Sequence, residues 1–153
     1  MCKLCWILVV ILACLSSFLA FKFMIVGKTE PLTDGRTAII VTPQERDLIL
    51  LEMRMFVETI QATIVANNAG DMNLVAAAVK SVGKAAQGQM SSALVGKLPL
   101  GFKKLGFDTH ARFDQMALDA EQDMSPEHIS QQLGVLMANC VACHNTYRLA
   151  TEE

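Results

Sequence analysis

From Leu4 to Phe21 the chain runs for eighteen residues without a charge, and Ser16 and Ser17 are the only polar side chains in that run. After Lys22 the apolar run resumes through Phe23, Met24, Ile25 and Val26. No other feature constrains the fold as strongly. A helix of about 20 apolar residues matches the hydrocarbon thickness of a bilayer, whereas the apolar part of a signal peptide usually has about 7–15 residues. The run also explains an unusual composition, in which 52% of the 153 residues are hydrophobic and 18% charged. Without the first 26 residues the hydrophobic share is about 46%, which is ordinary for a globular domain. The sequence therefore divides into an N-terminal membrane segment, residues 1–26, and a domain long enough to bury a core.

Three fates of the segment are open. An uncleaved single-pass anchor is the expectation, because an A-x-A-like cleavage site before Phe21 would need a small residue where Phe18 stands. Ile11-Leu12-Ala13-Cys14 loosely resembles a bacterial lipobox, which would place a lipid on Cys14. A cleaved signal is the third. All three export the rest of the chain. Lys3 and the free amino terminus favour an N-terminus left in the cytoplasm, although Lys22 and Lys28 on the other flank weaken that rule. Trp6 suits an interfacial position. Cys2 and Cys5 then fall at the cytoplasmic end and Cys14 inside the segment, where each reads as a small residue tolerant of apolar surroundings.

From Thr29 onward there are ten Lys and Arg against fifteen Asp and Glu, so the exported part is mildly acidic. With no basic excess to neutralise phosphates, a nucleic-acid partner is not expected. The apolar content excludes a disordered chain. The acidic balance reads as solubility, with a basic redox partner as the functional alternative.

Residues 27–42, with Pro31, Asp34 and Gly35, read as a linker. Within it Ala38-Ile39-Ile40-Val41 is β-prone but has no visible partner strand, so it is expected to pack on the domain edge. Residues 43–150 read as helical almost throughout, with Ser91 to Pro99 as a connection between the second and third helices. Thr42-Pro43-Gln44-Glu45 is a capping box with Pro at the first helical position, opening a helix that Gly70 ends near Asn68. Asp71 caps a second helix, expected over Met72 to about Gln87. A third is expected over roughly Phe102 to Asp123. Ser125-Pro126-Glu127 starts a fourth, expected to run to about Ala150. The predicted fold class is all-α, an antiparallel four-helix bundle preceded by one N-terminal transmembrane helix.

Near the end of that last helix stands Cys140-Val141-Ala142-Cys143-His144, the C-x-x-C-H signature of c-type haem attachment. Two thiols three residues apart on a helix reach the same side, where each can add its S–H across one haem vinyl group. His144, one turn beyond Cys140, can offer an imidazole nitrogen to the iron. At 100° per residue, Ile129, Leu133, Leu136, Cys140, Cys143, His144 and Tyr147 share a face, so an attached haem would lie inside the bundle. Export agrees, because this attachment takes place outside the cytoplasm. Competing readings fit less well. A thioredoxin-like dithiol belongs at a helix start in a βαβ setting. A structural zinc site needs four ligands where only three are local. A plain disulfide leaves His144 without a role.

Cys140-Val141-Ala142-Cys143-His144-Asn145-Thr146-Tyr147-Arg148, closing a bundle of four helices, resembles the cytochrome c′ family, whose last helix carries C-x-x-C-H followed by an aromatic and a basic residue. The resemblance covers about residues 42–150, with its distinctive part in the last nine of those quoted. It implies one haem c, thioether bonds from Cys140 and Cys143, and His144 as the proximal iron ligand. It places Arg148 as the family's basic residue near the proximal haem face; the alternative is a solvated Arg favourable to the helix C-terminus. It also raises a homodimer through the first two helices.

In that family the first helix of the bundle supplies the distal residue, apolar in five-coordinate gas binders and Met in six-coordinate electron carriers. Here it offers Met53 and Met55, about 200° apart on the wheel. Met53 is central to the stripe Ile49, Met53, Phe56, Val57, Ile60, Ile64, so Met53 is the expected distal ligand. The alternatives are an open or apolar face that binds nitric oxide or carbon monoxide, or Met53 as a core gap-filler. His110 is expected to be a half-exposed helical residue and His128 a surface residue. Asp114, Asp119, Glu121 and Asp123 read as a solvated face. With no Ser–His–Asp set and no phosphate loop, the chain reads as an electron carrier and not an enzyme. It is expected in a bacterial inner membrane with its haem domain in the periplasm, serving redox partner proteins of a membrane electron-transfer chain. A non-haem thiol-redox or structural bundle is the remaining alternative.

Overall fold

The structure, a computed structural model, describes residues 3–152. Cys2 lies outside them, as does the amino terminus whose orientation was considered above. Helix α1 (Lys3–Phe21) continues as one π-helical turn, Lys22–Val26. At 1.5 Å per residue α1 alone is about 28 Å long. Lys3–Val26 is long and apolar enough to cross a membrane, and the window that qualifies it is unburied.

The chain after this helix departs from the expected linker. Strands β1 (Thr29–Pro31) and β2 (Thr37–Val41) form an antiparallel hairpin, and β2 pairs in parallel with β3 (Tyr147–Thr151), giving the order β1-β2-β3. The all-α expectation is corrected accordingly: the molecule is mostly helical, with a small three-stranded sheet. Ala38–Val41 has two partner strands: β1, close in sequence, with Glu30 opposite Ala38, and β3, more than a hundred residues away, with Ala38 opposite Arg148 and Ile40 opposite Ala150. No local pattern in the sequence reveals the pairing with β3. Ala38, Ile39 and Val41 are buried, so residues 27–42 belong to the packed body.

The remaining helices are α2 (Pro43–Asn68), α3 (Met72–Lys80), α4 (Ser92–Lys97), α5 (Leu100–Glu121) and α6 (Pro126–Thr146). The starts of α2, α3 and α6 follow the expected chemistry. Glu45 N donates to Thr42 Oγ1 at 3.2 Å while Thr42 N donates to Glu45 Oε2 at 2.8 Å. Asp71 accepts from Leu74 N at 3.0 Å, and Ser125 from His128 N at 3.2 Å. Two ends differ from expectation. Helix α3 stops at Lys80, where Ser81 Oγ donates back to Ala78 O and the carbonyl of Val82 turns away to meet His110. Helix α6 stops at Thr146 because Tyr147 is extended (φ −123, ψ 153) and begins β3.

Helices α2, α3, α5 and α6 pack in a ring, α2 on α3, α3 on α5, α5 on α6 and α6 on α2. Between them lies one core that includes Val75, Val79, Phe113, Met116, Ile129 and Leu136. A second core joins the sheet to the start of α2 and to α4 through Ile39, Val41, Ile49, Leu94 and Leu98, flanked by Met53, Phe102 and Tyr147. On α2 the buried side drifts from Ile49 to Thr59, Thr63, Ala66 and Asn67, while Val57 and Ile64 of the expected stripe are exposed. Asn67 Nδ2 donates to Pro126 O at 2.9 Å and Ser130 Oγ at 3.0 Å, tying α2 to the start of α6.

Candidate functional site

Cys140, Cys143 and His144 occupy the last two turns of α6. Along the same face, Ile129, Leu133 and Leu136 are buried in the helical core, whereas Cys140 and Cys143 are half-buried and His144 is exposed. Burial falls here because open space replaces neighbouring side chains. The three residues line a cavity of about 480 Å³, within the roughly 300–1,000 Å³ of small-molecule and cofactor sites.

The cavity lies between the two cores. Ile49, Leu98 and Phe102 belong to or flank the sheet-side core, while Phe56 and Ile60 pack against the helical one. Helix α2 brings Met53 to the same cavity. The structure thus gathers Met53, Cys140, Cys143 and His144 around one space. Met55, the other candidate, is exposed and does not line it.

Burial pushes the Cys140 thiol up, and pushes Cys143 to about 11 with Cys140 adding to the effect. Both are free thiols. A reactive dithiol needs the opposite environment, one that stabilises thiolate. Among the described residues no three His, Cys, Asp or Glu side chains gather as a metal-holding group. A porphyrin iron needs no such group, since the macrocycle supplies four nitrogens and the protein only axial ligands. The donor set fits a haem in this respect: two neutral thiols at one wall, a single imidazole beside them and a thioether on α2.

Arg148 is placed differently from expectation. It lies on β3, two residues beyond the end of α6, so it does not continue the helix. It lines a second pocket of about 210 Å³ that shares Met53, Phe102, Cys143 and His144 with the main cavity.

Two polar features of the region escaped the sequence. His110 is buried, not half-exposed: its Nδ1 donates to Val82 O at 2.7 Å and its Nε2 lies 3.3 Å from Glu52 Oε1. Both residues line the cavity. Because Nδ1 must carry a proton for Val82, Nε2 can approach a carboxylate only if a further proton sits between them. Burial pulls the His110 pKa down, but the Glu52 carboxylate and the Val82 carbonyl outweigh it and hold the pKa above the ordinary value. The signal available was spacing, since His110, Phe113 and Ala117 share one helical face. The second feature is Asp119, expected on a solvated face. It accepts from His128 Nε2 at 3.0 Å, Gln115 Nε2 at 2.9 Å and Gln132 Nε2, binding α5 to α6. The His128 hydrogen bond leads in holding its carboxyl below the usual range.

Compared with protein-family models, with curated proteins and with solved structures, the chain matches none.

Proposed function

We propose that the chain is a membrane-anchored c-type cytochrome of the cytochrome c′ type, a four-helix bundle carrying one haem and transferring single electrons on the periplasmic side of a bacterial inner membrane. The observation that carries this reading is the position of Cys140, Cys143 and His144 on the wall of one largely apolar cavity that Met53 also lines. Cys140 and Cys143 would hold haem c through thioether bonds, each thiol adding sulfur to one vinyl carbon and hydrogen to the next. His144 would be the proximal ligand. Haem c would supply the one-electron ferric–ferrous couple. Met53 would give the iron a thioether on the distal side, which favours the ferrous form and raises the potential, as Met/His ligation does in cytochromes c. Phe56, Ile60 and Phe102 would give that space apolar walls against the haem. The segment Lys3–Val26 would span the bilayer, leaving the amino terminus in the cytoplasm and the bundle near membrane redox proteins.

The test uses the full chain matured in a bacterial periplasm. A haem stain that survives denaturation, and is lost in Cys140→Ser/Cys143→Ser, is the expected result; no covalent haem in the wild type would sink the reading. Absorption and resonance Raman spectra of the reduced protein should report six-coordinate iron, converted by Met53→Ala to five-coordinate. Spectra unchanged in Met53→Ala would remove Met53 as a ligand. Five-coordinate iron in the wild type would instead favour nitric oxide or carbon monoxide binding at the apolar face formed by Phe56, Val57 and Ile60.

A further inference from the structure

The 210 Å³ pocket beside the main cavity has a different chemistry. Three arginines line it, each from a different element: Arg36 from the turn before β2, Arg46 from the first turns of α2, and Arg148 from β3. Among the described residues no carboxylate lines it. Arg36 is held by Asp34, with Nε and Nη2 donating to Oδ2 at 2.9 and 2.7 Å. Among the described residues Arg46 pairs only with Asp47, at 4.0 Å and three-quarters exposed, where water screens the pair. Arg148 has no ion-pair partner among the described residues, and its field reaches Asp34. Three guanidinium groups against one well-placed carboxylate leave a positive pocket in a domain that is otherwise acidic. It stands against Met53, Cys143 and His144, the residues assigned above to the haem. Only the tertiary fold brings the three together, since β2 and β3 must pair in parallel for Arg36 and Arg148 to meet.

From this we propose that Arg36, Arg46 and Arg148 form a carboxylate-binding site, and that its ligands are the two propionate groups of the haem. The assignment rests on the haem reading above. A guanidinium offers paired N–H donors to the two oxygens of a carboxylate, a geometry that Lys cannot reproduce. The same positive charge opposes the extra charge of the ferric centre and so supports the ferrous state.

The experiment uses the haem-loaded full chain with Arg36→Gln, Arg46→Gln and Arg148→Gln, singly and together, and Arg46→Lys/Arg148→Lys. Resonance Raman propionate bending bands and the midpoint potential are read in each. The triple variant is expected to shift the bending bands and lower the ferrous-to-ferric ratio at fixed ambient potential roughly tenfold, about 59 mV for one electron. The Lys variant is expected to hold the potential near the wild-type value while losing the wild-type band positions, a split that general loosening of the fold would not produce. Should the triple variant fail to mature, the single variants carry the same two readouts. Wild-type protein with covalent haem, but with bands and potential indifferent to all substitutions, would overturn the clamp and leave the haem reading intact. Wild-type protein without covalent haem would overturn both. A wild-type potential that shifts on adding acetate or inorganic phosphate, with propionate bands indifferent to the arginines, would assign the pocket to free anions and overturn the proposal.

Discussion

His110 sits between a carbonyl that demands a proton on Nδ1 and a carboxylate that favours one on Nε2. The result is a buried imidazole whose pKa is raised despite desolvation. A group with a raised folded pKa contributes stability that is fully present below its unfolded pKa, about 6.5, and is lost as the pH rises through the folded value. Stability measured by urea unfolding should therefore decline as the pH rises from 6 toward 9, and His110→Gln should flatten that decline whatever its effect on absolute stability. An unchanged slope in the variant would show that His110 and Glu52 share no proton. The residue was recognisable as helical from sequence, yet a lone His on the edge of an apolar face says nothing of what stands across from it. Asp119 teaches the same lesson. Its acidic neighbours made it look solvated; Gln115, one turn back on α5, supplies one donor, and only the approach of α6 adds His128 and Gln132, which make it a bracket between helices.

Element boundaries were legible where the signal is local. The capping box at Thr42 and the caps at Asp71 and Ser125 satisfy amides within a few residues, so the starts of α2, α3 and α6 followed from sequence. Ends set by distant partners did not follow, as in α3, where Val82 is claimed by His110. The junction after the membrane-length helix also depends on distant contacts. Gly27 has φ +71 and ψ −159, a region open essentially to Gly alone, and a Cβ there would strike the backbone of Lys97, Leu98 and Pro99. The next amide, Lys28 N, donates to Lys97 O at 2.7 Å, and Lys103 Nζ donates to Phe23 O and Met24 O at 3.1 and 3.2 Å. The helix is thus docked to the domain and is not a loose tether. Gly27→Ala should cost about 1–3 kcal/mol from backbone strain alone. It should also speed proteolysis between Lys22 and Lys28 in the detergent-solubilised full chain. Cleavage as slow as in the wild type would show that the junction tolerates a side chain.

At the scale of the whole molecule, two cores rather than one organise the domain, and the cavity is the space where they do not merge. The helical core contains no residue of β3, while Leu149 and Tyr147 flank the other. Removing residues 149–153 should therefore lower stability by at least about 2 kcal/mol, the worth of burying one or two aliphatic side chains, while leaving most helical content intact. Thermal unfolding followed by far-UV circular dichroism measures both. Loss of the helical signal at low temperature would show that the sheet-side core is needed for α3, α5 and α6 to assemble. The exposed ion pairs of Glu152 with Lys28 and Lys97 are expected to add little to this loss.

By itself the sequence determined the properties that depend on short-range pattern. These are the apolar helix of membrane-spanning length, the largely helical body, the capped starts of α2, α3 and α6, and Cys140, Cys143 and His144 on one face of the last. Tertiary structure alone decided what those residues face. It brought Met53 to the cavity they line, turned the presumed linker into a hairpin whose second strand pairs with the C-terminal residues, moved Arg148 off the helix, and set it beside Arg36 and Arg46. The physical reason is range. Hydrophobic period and capping act within one or two helical turns, whereas a parallel strand pair, a buried polar partner and a cavity arise from segments that meet only when the whole chain has packed.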